Sequence, residues 1–260
     1  MTPESDMLAP WRVTYPSAGR DLTGYLFVPP GEGPFPALVI NHGSQGLPPA
    51  SSAWIKEVAS AMHRIGHAVC FPVRRGYDDN PGPPFASFLT APEGSDAWGH
   101  QTVEALSQET DDVLAALVWL ANQPQVDPGR LALMGSSFGG IVTVFAAARP
   151  SRAKAAVSFA TAAMMWHRAP AMQAALLAAV GQAKVPLFLI QAANDFTLAP
   201  LYAMGAELAG QGKPHEARVY APVGSTNLDG HLFIRSSVAV WGPDVQRFLE
   251  RWLNDTAAQT

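Results

Sequence analysis

From Ala37 almost to the end of the chain, short apolar runs alternate with segments of helical spacing. Ala37–Ile40, Ala68–Val73, Leu131–Met134, Ala155–Phe159, Leu187–Gln191 and Ala217–Tyr220 read as strands, most of them continuously apolar. Continuous apolar runs of this length suit strands buried on both faces. Ser52–Ile65, Gln108–Asn122, Phe138–Ala148, Ala169–Ala183, Leu201–Leu208 and Pro243–Leu253 read as the helices between and after them. Gly66, Pro124 and the Asp127-Pro128-Gly129 turn punctuate the series. Strand and helix in strict alternation build a mainly parallel sheet with helices on both faces. Ahead of it, Leu22–Val28 and the weaker run Arg12–Tyr15 form a hairpin, adding antiparallel strands at one edge. The total comes to about eight strands.

This order uses nearly the whole chain. Its 260 residues are expected to form a single α/β domain over residues 1–260, with a core from about 22 to 253 and no room for a large lid. Hydrophobic residues make up 48% of the chain and charged residues only 15%, against about 25% on average. The formal net charge is −4 and the Lys and Arg residues are scattered, which argues against a nucleic-acid partner. Cys70 is the one cysteine, so neither an intramolecular disulfide nor a thiolate metal cluster can form. The stretch Met1–Asp6 carries no basic and apolar leader pattern, and no apolar run is long enough to span a bilayer. A cytoplasmic monomer or homodimer, free of membrane, metal and cofactor, is expected.

Open parallel sheets place their chemistry in loops at the carboxyl ends of the strands. After Leu131–Met134 comes Gly135-Ser136-Ser137-Phe138-Gly139-Gly140, a G-x-S-x-G pattern at a strand–helix junction. Such a turn raises its central hydroxyl above the sheet, and the helix that follows aims its N-terminal amides at the same place. The spacing puts Ser137 at the apex, with Ser136 the competing hydroxyl. A serine needs a base to take its proton. His231, in Asp229-Gly230-His231-Leu232-Phe233 after the last strand, holds the expected place in the order Ser, acid, His. Asp195 is the first carboxylate after Leu187–Gln191 and is expected to orient the imidazole. Asp229 is its rival, read as a turn residue. An oxyanion would be held by the amide of Phe138 and by an amide of the loop Asn41-His42-Gly43-Ser44-Gln45-Gly46, with Ser44 the first choice and Gln45 the second. His42 has no companion at metal-ligand spacing and is expected to pack or to anchor this loop. Cys70 is read as a small core residue.

With these residues assembled, the chain resembles the α/β-hydrolase superfamily over roughly residues 22–253. Within it, the likeness is to the dienelactone-hydrolase-like esterases, and more loosely to the catalytic domains of prolyl-oligopeptidase-type serine peptidases. The carrying phrases are Asn41-His42-Gly43, Arg74-Arg75-Gly76-Tyr77, Val126-Asp127-Pro128-Gly129-Arg130 leading into the G-x-S-x-G turn, Asn194-Asp195 and Asp229-Gly230-His231. Dienelactone hydrolases proper carry cysteine at the elbow, where this chain has Ser137. The resemblance implies an α/β-hydrolase fold and a serine esterase acting on a small-molecule ester. The alternatives are a peptidase or amidase using the same residues, an acyltransferase, and a hydrolase-fold binding module. The pocket wall is expected from Gln45, Tyr77, Met164, Met165 and Trp166, and Phe85 and Phe88 lie in a Pro-rich loop able to fold over it. Arg74–Asp79 is read equally as a surface loop of Arg–Asp pairs.

Overall fold

The computed structural model describes residues 9–254. Eight strands form one sheet: β1 (Trp11–Ser17), β2 (Arg20–Phe27), β3 (Phe35–Asn41), β4 (Ala68–Pro72), β5 (Val126–Ser136), β6 (Ala153–Phe159), β7 (Leu187–Ala192) and β8 (His215–Tyr220). Their spatial order is β1-β2-β4-β3-β5-β6-β7-β8. β1 and β2 form the expected antiparallel hairpin, β2 runs antiparallel to β4, and every other pairing is parallel. β3 is the first strand of the parallel part, with β4 on one side and β5 on the other. The winding direction reverses there, so the loops after β3 and β5 diverge and leave a crevice at their carboxyl ends.

The helices are α1 (Ala53–Arg64), α2 (Asp96–Leu120), α3 (Phe138–Ala147), α4 (Pro170–Gly181), α5 (Ala199–Gly210), the short α6 (Asn227–His231) and α7 (Phe233–Ser236), and α8 (Val238–Leu253). Side chains alternate across the strands with period two. Ala37, Val39, Leu131, Leu133, Leu187 and Leu189 enter a core shared with α2, α3, α4 and α5. Leu38, Ile40, Ala132, Met134, Phe188 and Ile190 enter the opposite core, under α1 and α8. This two-sided burial is why these strands carry unbroken apolar runs.

Two helices begin earlier than the sequence spacing indicates. α2 starts at Asp96, not Gln108, with the Ser95 hydroxyl accepting from the Trp98 amide at 3.2 Å. Its buried stripe runs Trp98, Thr102, Ala105, Leu106, Glu109, Asp112, Val113, and two carboxylates on that stripe disguise the apolar period. α8 starts at Val238, with Pro243 inside it. Trp241, fully buried, fixes this first turn by donating its indole N–H to the Ile234 carbonyl at 3.2 Å. No helix among the described residues is long and apolar enough to cross a membrane. Between β6 and α4 lie only residues 160–169, with one short 3-10 turn, so this connection forms no large lid.

Candidate active site

The turn between β5 and α3 holds Ser137 at φ 58° and ψ −120°. A residue with a side chain enters that region only where its surroundings impose it. Here the Ser137 amide donates to the Phe159 carbonyl at 3.0 Å, and its carbonyl accepts from Ile141 at 3.0 Å. The flanking glycines are there for space. A Cβ on Gly135 would strike the Gly139 carbonyl, and one on Gly139 would strike the carbonyls of Asn41 and His42. The G-x-S-x-G spacing therefore lets α3 pack directly against the ends of β5 and β3.

Ser137, His231 and Asp195 are hydrogen-bonded in series. The Ser137 hydroxyl lies 3.0 Å from His231 Nε2, and His231 Nδ1 lies 2.9 Å from Asp195 Oδ1. An imidazole with Nδ1–H toward the carboxylate presents a free lone pair to the serine proton. Asp195 and His231 are both buried. The carboxylate takes two further hydrogen bonds: Oδ1 also accepts from the Phe196 amide at 2.7 Å, and Oδ2 from Gln191 Nε2 at 2.8 Å. The Phe196 ring stands edge-on to His231, centroids 5.6 Å apart.

His231 ends α6, beyond the edge strand β8, and the neighbouring Asn194 ties that segment down. Its amide donates to the Val223 carbonyl at 2.7 Å and the Thr226 carbonyl at 2.8 Å, while its oxygen accepts from the Val223 amide at 2.9 Å. A Cβ on Gly230 would meet Asn194 and the Asp195 amide at 2.7 Å, so glycine is what allows this approach. Asp229 is turned away from His231. It forms a capping box with Thr226 at the start of α6, and hydrogen bonds from Ser225 and Thr226 hold its carboxyl below the usual range.

The loop after β3 packs beside Ser137: the Cβ position of Gly43 lies 3.6 Å from Ser137 Cβ. His42 is buried, and burial together with the Arg74 charge pushes its pKa well down. Neutral, it donates from Nδ1 to the Gly43 carbonyl at 2.8 Å and accepts the Arg74 amide at Nε2, 3.2 Å away. It holds the loop by these hydrogen bonds. The amides of Phe138 and Ser44 have no protein acceptor among the described residues.

A cavity of about 360 Å³ opens above Ser137. Its walls are Ile40, Trp54, Met164, Leu228, Leu232 and Ile234, with Asn41, Ser44, Gln45 and Arg235 as the polar points. Ser44, Gln45 and Met164 thus line the cavity. Met165 and Trp166 do not: both are buried in the core with Met172 and Leu176 of α4, because the 3-10 turn at Trp166–Arg168 carries them under the helix. Tyr77 also stays off the cavity wall and packs edge-on against His42, centroids 4.6 Å apart. Phe85 reaches Phe138, at 4.9 Å between centroids, but neither Phe85 nor Phe88 lines the cavity.

Arg74 and Arg75 are not on a surface loop. Arg74 is fully buried and pairs with Glu109 at 2.6 Å, while Arg75, 7% exposed, makes a bidentate pair with Asp112. Arg235 has no sequence signal beyond lying four residues past His231. Its guanidinium sits 5.1 Å from the Trp54 ring centroid on the cavity wall, with no carboxylate partner among the described residues. No group of three or more His, Cys, Asp or Glu converges as a metal site among the described residues.

The sequence model of the dienelactone hydrolase family matches residues 22–231. An uncharacterized protein of Mycobacterium tuberculosis is 32% identical over 136 residues, which cover 52% of this chain and 40% of that one. This match therefore spans well under half of the relative's length. Among solved structures, the acylaminoacyl peptidase of Pyrococcus horikoshii superposes with a TM-score of 0.70 at 18% identity, over 98% of this chain and 43% of that one. The α/β hydrolase GrgF of a Penicillium species gives a TM-score of 0.69 at 17% identity, over 95% of this chain and 100% of its own. A puromycin-hydrolyzing peptidase of M. tuberculosis gives 0.70 at 20% identity, over 95% and 39%. At these identities the structural likeness establishes the α/β-hydrolase fold.

Proposed function

The chain belongs to the dienelactone hydrolase family, and from that premise we propose that it is a serine hydrolase of carboxylic esters working through an acyl-enzyme on Ser137. The observation that carries the reading is the unbroken hydrogen-bond series Ser137–His231–Asp195 opening on a cavity.

Ser137 Oγ attacks the ester carbonyl carbon as its proton passes to His231 Nε2. Asp195 holds the opposite ring nitrogen and stabilises the imidazolium. The carbonyl oxygen becomes an oxyanion, which takes hydrogen bonds from the Phe138 amide, at the positive end of α3, and from the Ser44 amide. The tetrahedral adduct collapses, the C–O bond to the alcohol breaks, and His231 returns the proton to the departing oxygen. Water then repeats the attack with His231 as base, releasing the acid and restoring Ser137. Two preorganised amides suit this chemistry because the charge appears only after attack. The apolar walls suit a compact substrate entering without a lid.

The test is turnover of a short-chain p-nitrophenyl ester and labelling by a fluorophosphonate probe. Ser137→Ala is expected to lose at least about 10³-fold in kcat and all labelling, with an unchanged melting profile. Turnover surviving in that variant refutes the assignment. Aminoacyl amides cleaved as fast as matched esters would make the enzyme an amidase with the same residues.

A further inference from the structure

We propose that Arg74, held by Glu109, is a positioning residue that sets the orientation of the Gly43–Ser44 peptide and so aims the second oxyanion donor. This rests on the hydrolase reading above and adds to it a pair of side chains that touch no substrate.

Arg74 is fully buried, and each nitrogen of its planar fork is engaged. Nε donates to Glu109 at 2.6 Å, Nη1 to the His42 carbonyl at 2.7 Å, and Nη2 reaches the Gly43 carbonyl at the long distance of 3.5 Å. The Arg74 backbone amide also donates to His42 Nε2 at 3.2 Å, which commits the other ring nitrogen, Nδ1, to the Gly43 carbonyl. The Gly46 amide completes the set on that carbonyl at 3.4 Å.

Orientation follows from peptide geometry. In a trans peptide the C=O and the next N–H point in opposite directions. The His42 and Arg74 donors draw the Gly43 carbonyl to their side, with the Gly46 amide closing the turn, so the Ser44 N–H is turned to the other side. Ser44 lines the cavity there, and the backbone of Gly43 passes beside Ser137. Were the peptide to flip, a carbonyl would face the developing oxyanion in place of a donor. A loop carrying two glycines, Gly43 and Gly46, has little intrinsic resistance to such a flip.

A buried ion pair is poor evidence for stability, because desolvation offsets most of the attraction. Glu109 shows this cost directly: burial raises its pKa despite the arginine. Arg74 also does what a lysine cannot. A planar fork spans one carboxylate and two successive carbonyls, whereas an ammonium is a point charge on a flexible stem.

The experiment compares Arg74→Lys with the double variant Arg74→Met/Glu109→Leu, which removes both charges and strands neither. Readouts are the melting temperature, kcat and KM for a p-nitrophenyl ester, and Ki for a trifluoromethyl ketone. Addition of Ser137 Oγ to that ketone, with its proton moving to His231, gives a hemiketal oxyanion that needs the same two donors. Removing an oxyanion donor costs about 10²–10³ in kcat, and misaiming one is expected to cost about 10–10². Both variants should show that loss with KM within about threefold, and Ki should rise in parallel with the fall in kcat/KM. Arg74→Lys should keep most of the wild-type melting temperature without regaining kcat. Recovery of kcat together with stability in Arg74→Lys would overturn the proposal, as would a Ki that does not move. Fluorophosphonate labelling of the wild type separates the two levels. Wild type that fails to label at Ser137 overturns the hydrolase reading and this one with it, whereas labelled wild type with unaltered variants overturns this one alone.

Discussion

Asp112→Asn, which exchanges a single oxygen for an NH₂, should cost the fold a large part of its stability. Asp112 is completely buried, and its carboxylate takes four hydrogen bonds. Oδ1 accepts from the Ser17 hydroxyl at 2.6 Å and Arg75 Nη2 at 2.7 Å, and Oδ2 from the Arg75 amide and Nε, both at 2.9 Å. These bonds tie together β1, the loop after β4, and α2. Asp112→Asn keeps the shape, but one carbonyl oxygen cannot serve four donors, and the new NH₂ faces donors. Two buried donors left unpaired cost about 2–6 kcal/mol. Stranding one member of a buried ion pair costs about 3–5 kcal/mol. The two routes overlap near 4 kcal/mol, a large part of the 5–15 kcal/mol by which a folded domain is ordinarily stable. At a urea m-value of about 3 kcal/mol/M, the midpoint should fall by about 1.3 M. Urea titration followed by far-UV circular dichroism measures it. The companion variant Arg75→Met/Asp112→Leu removes both charges and should recover most of the loss. A midpoint shift below about 0.3 M for Asp112→Asn, or a double variant no better than the single, refutes the reasoning.

Acid should weaken the fold before carboxylates titrate. Burial lowers the pKa of His42, His63 and His67 below the usual 6.5, so the unfolded chain takes up protons first. Their contribution is complete above about pH 6.5 and is lost as pH falls below it, at up to ~1.4 kcal/mol per pH unit for a fully buried histidine such as His42. Urea midpoints at pH 7.5 and 5.5 should differ, and by less in His42→Asn; equal wild-type midpoints would contradict this. Gln191→Leu removes the donor on Asp195 Oδ2 and should lower kcat about tenfold with KM unchanged, since hydrogen bonds to charged groups are worth about 1.5–3 kcal/mol. An unchanged kcat would show that Phe196 and His231 hold the carboxylate unaided. Arg235→Leu should raise KM for an ester bearing a carboxylate about tenfold or more, and leave a neutral ester of the same shape unaffected. Equal effects on the two esters would show that Arg235 acts only through its packing on Trp54.

Much of the architecture is legible in the sequence because a two-sided sheet writes itself as apolar runs. The order of strands and helices, the hairpin and the elbow all follow from local pattern. Ser137, Asp195 and His231 stand out for a related reason: each follows a strand end, and the structure brings them within hydrogen-bond reach. What stays hidden is pairing at a distance. Arg74 and Glu109 are 35 positions apart, and Arg75 and Asp112 are 37 apart. Read locally, each pair looks like solvated charge, and the acidic members even mask the helix that carries them. Met165 and Trp166 mislead in the opposite sense. Adjacency to Met164 suggests a shared wall, yet a single 3-10 turn sends them into the core while Met164 remains 48% exposed.

The attachment of His231 ties the candidate site to an edge of the sheet. Ser137 and Asp195 hang from interior strands, but His231 follows β8, an edge strand with every residue at least partly exposed. Asn194, the close approach at Gly230 and the His231–Asp195 hydrogen bond clamp that segment to the loop after β7. Edges open at lower free energy than centres do. Fraying of β8 would take the proposed base away from a serine still held in its strained turn, leaving a protein nearly intact by spectroscopy and inert as a hydrolase. Hydrolysis by the proposed site would then report on the docking of the segment between β8 and α8, and the stability of that border would limit the fraction of molecules able to react at any moment.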